Sequence, residues 1–180
     1  DLNLAGWFMS ALPITVLGTG IVLLLLRLQR SAPLAVAMGV SAIGSGGFLL
    51  LGASWWPLAW GTSLLPWLWL ALLGRGRGAL LLLGVVTWAT AAAGYPYAFV
   101  FAALVVAGVW GERARAEGLR SLLGGRTVRQ AVAGLAGVLA ASPALLVMLQ
   151  LNRVTQRSAE TITPPVNSGF ATPNFIDVVM

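Results

Sequence analysis

The chain has 180 residues, of which 58% are hydrophobic and 9% charged, and its mean hydropathy is +0.88. Its charges are 11 arginines, no lysine and five acids, a net +6, and the arginines stand almost entirely in gaps between apolar runs. That sorting excludes an ordinary soluble domain, whose helices need a charged face every turn or two. The absence of cysteine and histidine excludes a disulfide framework, a thiolate metal site and a histidine general base.

The first apolar run, 4–26, is long enough for one membrane crossing, which takes about 20 residues at 1.5 Å rise. Pro13 within it is expected to kink the helix by removing a hydrogen bond. After Arg27 and Arg30 comes a charge-free stretch that suits two crossings, 34–52 and 58–74. They are divided at Ser54-Trp55-Trp56-Pro57, where paired tryptophans fit the headgroup zone. Arg75 and Arg77 precede a shorter pair, 79–93 and 96–110, divided at Gly94-Tyr95-Pro96-Tyr97. These two read either as short crossings or as one crossing with a re-entrant segment. The sixth crossing, 131–151, is expected to bend or break at Ser142-Pro143, and 152–180 forms an outer-face loop. The expected fold class is therefore all-α, a polytopic bundle of about six transmembrane helices.

The arginines test that number. With six crossings the gaps at 27–30, 75–77 and 112–129 share one side, and the uncharged breaks share the other. A charge at the bilayer centre costs roughly 2.5 to 3.5 kcal/mol on insertion scales, and arginine-rich loops stay in the cytoplasm. The expectation is a multi-pass cell-membrane protein with both ends of this chain outside. Its partners are membrane lipids, and the positive charge signals topology and not nucleic acid. The loop from Glu112 to Gln130 mixes arginine with Leu119, Leu122, Leu123 and Val128. It reads either as a basic amphipathic helix on anionic lipid or as a short solvated loop. The first residue, Asp1, and the apolar end at Met180 lead us to expect a fragment of a longer protein.

All five acids (Asp1, Glu112, Glu117, Glu160 and Asp177) fall outside the expected hydrocarbon region. Coupled transporters carry ionisable groups at that depth, so their lack here weighs against a transporter or lipid flippase, which stays as the rival reading, with a non-enzymatic scaffold as the third. Gly44-Ser45-Gly46-Gly47 reads as close helix packing, and Gly74-Arg75-Gly76-Arg77-Gly78 as a cytoplasmic turn lacking the lysine of a phosphate-binding loop. Thr87, Ser142 and Gln150 read as helix–helix hydrogen-bonding groups. The outer segment holds Arg153 and Arg157, suited to a lipid phosphate through forked contacts, and Glu160 and Asp177, suited to sugar hydroxyls. No metal site and no cofactor is expected.

The order of landmarks resembles a known family. Gly46-Gly47-Phe48 leads to Trp55-Trp56-Pro57-Leu58, then Leu65-Pro66-Trp67-Leu68 and Gly94-Tyr95-Pro96-Tyr97. Ala140-Ala141-Ser142-Pro143 leads on to Arg157-Ser158, and Thr172-Pro173-Asn174-Phe175-Ile176 comes last. This pattern is similar to the bacterial YfhO-like membrane proteins, themselves similar to polytopic glycosyltransferases of the GT-C class. The chain departs from it at Gly94-Tyr95-Pro96, where the family often has Gly-His-Pro, and at Arg157-Ser158. The resemblance implies a polyprenyl-phosphate-linked sugar donor used on the outer face in cell-envelope glycosylation. It implies a carboxylate base in an outer loop preceding Asp1, so the catalytic residue is unknown from this chain. On that reading Arg153 and Arg157 bind the lipid phosphate, and Glu160 and Asp177 line the sugar site.

Overall fold

The computed structural model describes residues 2–45, 56–94 and 96–161, with side chains described over 11–45, 58–94 and 97–151. Among the described residues all regular structure is helical. The chain forms two units, Asp1–Ala141 and Ser142–Met180.

The helices follow the apolar runs, and their ends follow Gly, Pro and the arginine gaps. Helix α1, Leu2–Arg27, runs unbroken through Pro13. It closes with a Schellman motif in which the amide of Arg30 donates to Leu25 O and that of Gln29 to Leu26 O. Gln29 takes the left-handed position at φ 58°, where glycine is the usual residue. Helix α2, Ala32–Ile43, starts with a proline in its first turn and ends at Gly44. Gly18 of α1 sits against Ile43, and Gly39 of α2 against Val22, so the two helices form an antiparallel hairpin. A side chain at either glycine would push them apart.

Expected crossing 58–74 is divided into α3, Trp56–Ser63, and α4, Leu65–Leu73. Pro66 explains the break, because it has no N–H for the carbonyl four residues earlier. Thr62 and Ser63 hydroxyls donate to carbonyls of the preceding turn. Helix α5, Arg77–Ala92, and α6, Pro96–Glu117, flank Gly94, which has φ 68°. Helix α6 continues past the expected end at 110 and takes Glu112 to Glu117 into its last turns. Gly118, at φ 84°, then turns the chain into a short 3-10 helix, Leu119–Leu123. Helix α7, Gly125–Ala140, ends just before Ser142-Pro143, as the proline there demands, and α8 covers Ser142–Thr161. Of the segment expected as an outer loop, 152–161 are thus helical, and 162–180 lie outside the described residues.

In the first unit, Leu68, Ala71 and Leu72 of α4 pack with Leu83 and Val86 of α5 and Val109 of α6, with Trp67, Trp110 and Ala133 against them. Helices α5 and α7 touch where Gly137 meets the backbone of Gly84 and Trp88. Trp67 of α4 lies across Gly20 of α1 and donates from Nε1 to Val16 O at 2.8 Å. Around this core, Leu81, Val85, Val100, Leu104, Val132, Leu135 and Leu139 are exposed.

Among the described residues one helix, Tyr97–Glu117, is long and apolar enough to cross a bilayer core, and Gly125–Ala140 with Ser142–Leu151 makes a second if taken as one span. The remaining apolar helices, Ala11–Arg27, Ala32–Ile43, Leu58–Leu73 and Arg77–Ala92, are 10–17 residues long. Part of the expected 34–52 span lies outside the described residues.

Candidate functional site

The most developed polar arrangement lies where α4 ends, α5 begins, α6 ends and α7 begins. Helix α4 stops at Gly74, whose amide donates to Leu70 O and Ala71 O. That leaves the carbonyls of Leu72, Leu73 and Gly74 without partners from their own helix, as at any helix C-terminus. In apolar surroundings each such orphan costs roughly 1–3 kcal/mol. Side chains from α6 and α7 meet all three.

Arg113, in the last turns of α6, is only 9% exposed. Its Nη2 donates to Leu72 O at 3.3 Å, and its Nη1 to Thr127 Oγ1 at 2.9 Å and Gln130 Oε1 at 3.1 Å. Gln130, 2% exposed, returns a bond from Nε2 to Leu72 O at 2.9 Å. Thr127 passes its own hydroxyl hydrogen to Ser121 O at 3.1 Å, which ties the 3-10 turn to the cluster. Arg126 spreads Nη2 over Leu72 O, Leu73 O and Gly74 O at 3.2, 2.9 and 3.1 Å. Its Nε is buried without a partner, as is the indole nitrogen of Trp110.

The partners of both guanidinium groups are neutral oxygens, so compensation comes from the negative end of the α4 dipole. Burial holds the Arg126 pKa below its ordinary value, and the neighbouring Arg113 and Arg75 charges push the same way, with Glu117 opposing. Arginine nevertheless keeps its proton at neutral pH. The chemistry available is cationic anchoring; there is no general base and no nucleophile in this cluster. It also gathers four helix ends at one end of the first unit, with Arg75 exposed in the loop between α4 and α5 and Arg77 exposed at the start of α5.

Two arginines that read from the sequence as loop charges thus point inward. A signal for this existed in the polar triplet Arg126, Thr127 and Gln130, spaced so that one face at the start of α7 carries all three. What that face meets was not readable, because the carbonyls it caps belong to a helix more than 50 residues earlier in the chain.

The residues proposed from the sequence lie elsewhere. Arg153, Arg157 and Glu160 are on the C-terminal turns of α8, at spacings that put their backbone positions on one stripe of that helix. Asp177 lies outside the described residues. Thr87 donates to Leu83 O and Gly84 O within its own helix and touches Gly137. An open, apolar groove of about 410 Å³ lies between α1 and α2, bordered by Thr15, Thr19, Val22, Val36 and Val40. Both threonine hydroxyls there bond to carbonyls of α1, so the groove presents no acid, base or nucleophile. Among the described residues no three His, Cys, Asp or Glu come together as metal ligands would. Compared with family models, with curated proteins and with solved structures, the chain matches none.

Proposed function

We propose that this chain is a section of a multi-pass membrane protein of about six crossings, and that it serves GT-C-like glycosyl transfer from a polyprenyl-phosphate-linked sugar at the cell envelope. The observation that carries the membrane reading is the separation of charge from apolar surface. Exposed Leu81, Val100, Leu104, Leu135 and Leu139 lie on the charge-free stretches 78–111 and 130–152, whereas the arginines of the 75–77 and 112–129 gaps gather at one end. A water-soluble unit would lose free energy by exposing so many large aliphatic side chains, and a bilayer removes that cost. Short helices such as α2 and α5 fit a bilayer by local thinning or by packing against longer neighbours. The arrangement of ends supports the arginine loops at 75–77 and 112–129 being on the cytoplasmic side.

The transfer reading rests on the family-like order of landmarks and on Arg153, Arg157 and Glu160 sharing a stripe of α8. In it, Arg153 and Arg157 hold the lipid phosphate, and Glu160 and Asp177 meet the sugar. The test uses the full-length protein with a polyprenyl-phosphate-linked sugar donor. Replacing Arg153 and Arg157 together with alanine is expected to raise KM for the donor at least tenfold, the scale of one lost charge-assisted contact. Unchanged transfer would remove both residues from the donor site. Reporter fusions after residue 76 and after residue 124 are expected to report the cytoplasmic side, and fusions after residue 94 the outer side. Opposite sides for 76 and 124 would overturn the topology.

A further inference from the structure

We infer that the turn between α6 and α7 is a membrane-interface foot, built to seat in the headgroup and upper acyl region of an anionic leaflet. The inference rests on the membrane reading above and adds a site to it. Leu119 and Leu123 of the 3-10 helix are 77% and 84% exposed, the two highest values among the exposed large apolar side chains of the described residues. Their exposure is not that of a loose loop. Ser121 Oγ donates to Gly118 O at 2.7 Å, the Gly124 amide donates to Ser121 O at 3.1 Å, and Ser121 O also receives the Thr127 hydroxyl. Thr127 in turn accepts from buried Arg113, so the turn is braced against the capped end of α4. The fold holds two leucines outward in a fixed place.

Their surroundings select the occupant. Arg115, Arg120 and Arg129 are exposed on the turn and the helix ends that flank it, with Arg75 exposed in the loop that follows α4 and Arg77 exposed at the start of α5. The acids on this foot, Glu112 and Glu117, are also exposed and lie on the last turns of α6, leaving the arginines in excess. The apolar surface is continuous as well: exposed Val132, Leu135 and Leu139 of α7 lead through exposed Val128 to the turn. A face that grades from an exposed apolar stripe to leucines on an arginine-rich turn matches the chemistry of an anionic membrane surface, with acyl chains below and phosphates above. A protein partner would need both an acidic rim and an apolar pocket in the plane of the bilayer edge.

The absence of cysteine makes site-specific labelling direct. The full chain would be carried as Leu119→Cys, Leu123→Cys, Leu135→Cys and Gly76→Cys variants, each labelled with an environment-sensitive fluorophore. These would be placed in vesicles of phosphatidylcholine and phosphatidylglycerol with brominated acyl chains. Labels at 119, 123 and 135 are expected to be quenched by the bromines, and the label at 76 is not. A second arm measures retention of phosphatidylglycerol over phosphatidylcholine by native mass spectrometry. The preference is expected to fall roughly tenfold in the combined Arg115→Gln, Arg120→Gln and Arg129→Gln variant. Quenching at 135 with none at 119 and 123 overturns the foot and leaves the membrane reading standing. No quenching at 135 overturns the membrane reading and the foot with it. An unchanged lipid preference in the triple variant overturns the role of the arginines.

Discussion

The end of the first unit where α4, α5, α6 and α7 meet and the hairpin of α1 with α2 are held together in opposite ways. At the bundle end, buried Arg113 and Gln130 reach across helices to Leu72 O, and Arg126 to the carbonyls of Leu72, Leu73 and Gly74, which would otherwise be orphaned. In the hairpin, contact depends on glycines at 18 and 39 that let two backbones approach, and the outer flank stays open as an apolar groove. Hydrogen bonds to a helix end are directional and specify one register. Small-residue contacts are adaptable, and they leave surface for lipid or for other helices to fill. The difference teaches that the rigid reference frame of this protein is its arginine-rich end.

The contrast can be broken from the rigid side first. Arg113→Ala removes three hydrogen bonds and strands Leu72 O, Thr127 and Gln130 in part, so a loss of roughly 3 kcal/mol is expected. In thermal unfolding in detergent this is a fall of about 6–12 °C, and Arg113→Lys should fall between the two because it lacks the fork. A change within about 2 °C of the parent, below the shift expected for even 1 kcal/mol, would mean the clamp is not what holds the bundle end. Next in size is Gly137→Val, where the new side chain meets the Thr87 hydroxyl and also the backbone of Gly84 and Trp88, which cannot swing aside. Overpacking of that kind costs about 2–3 kcal/mol, measured by the same unfolding curve.

Effects on the hairpin side should be smaller. Trp67→Phe keeps the ring against Gly20 but loses the bond to Val16 O, an expected cost of about 1 kcal/mol. Gln29→Gly should act with the opposite sign. The left-handed conformation at that position is strained for glutamine, so glycine should raise stability by about 0.5–1 kcal/mol. A loss on making Gln29→Gly would show that the Gln29 side chain contributes more than its backbone strain costs.

Much of the helical layout is legible in the residues themselves. Breaks at Gly94 and at Ser142-Pro143 follow from residues that cannot continue a helix, and the start of α5 at Arg77 follows from the glycine-arginine gap. The unbroken course of α1 through Pro13, and the break at Leu64 instead, are not legible there. Whether a proline ends a helix depends on whether packing holds the chain helical on both sides of it, and Pro13 is buried within the packed unit. The continuation of α6 through Glu117 is hidden for a similar reason. Charged residues mark where a helix leaves an apolar layer, but Glu and Arg are good helix formers and do not end it.

The arginine gaps show where sequence and tertiary structure divide the work. Composition and spacing alone determined that the chain is all-α, that its apolar runs are separated by arginines, and that acids are kept out of those runs. Local propensity and transfer free energy act residue by residue, so they can be read residue by residue. Only the folded structure decided that Arg113 and Arg126 turn inward to cap α4, while Arg115, Arg120 and Arg129 stay outside beside two exposed leucines. Every arginine carries the same charge and the same fork of donors. Which one meets a carbonyl depends on where a distant helix ends, and that is set by packing across the chain.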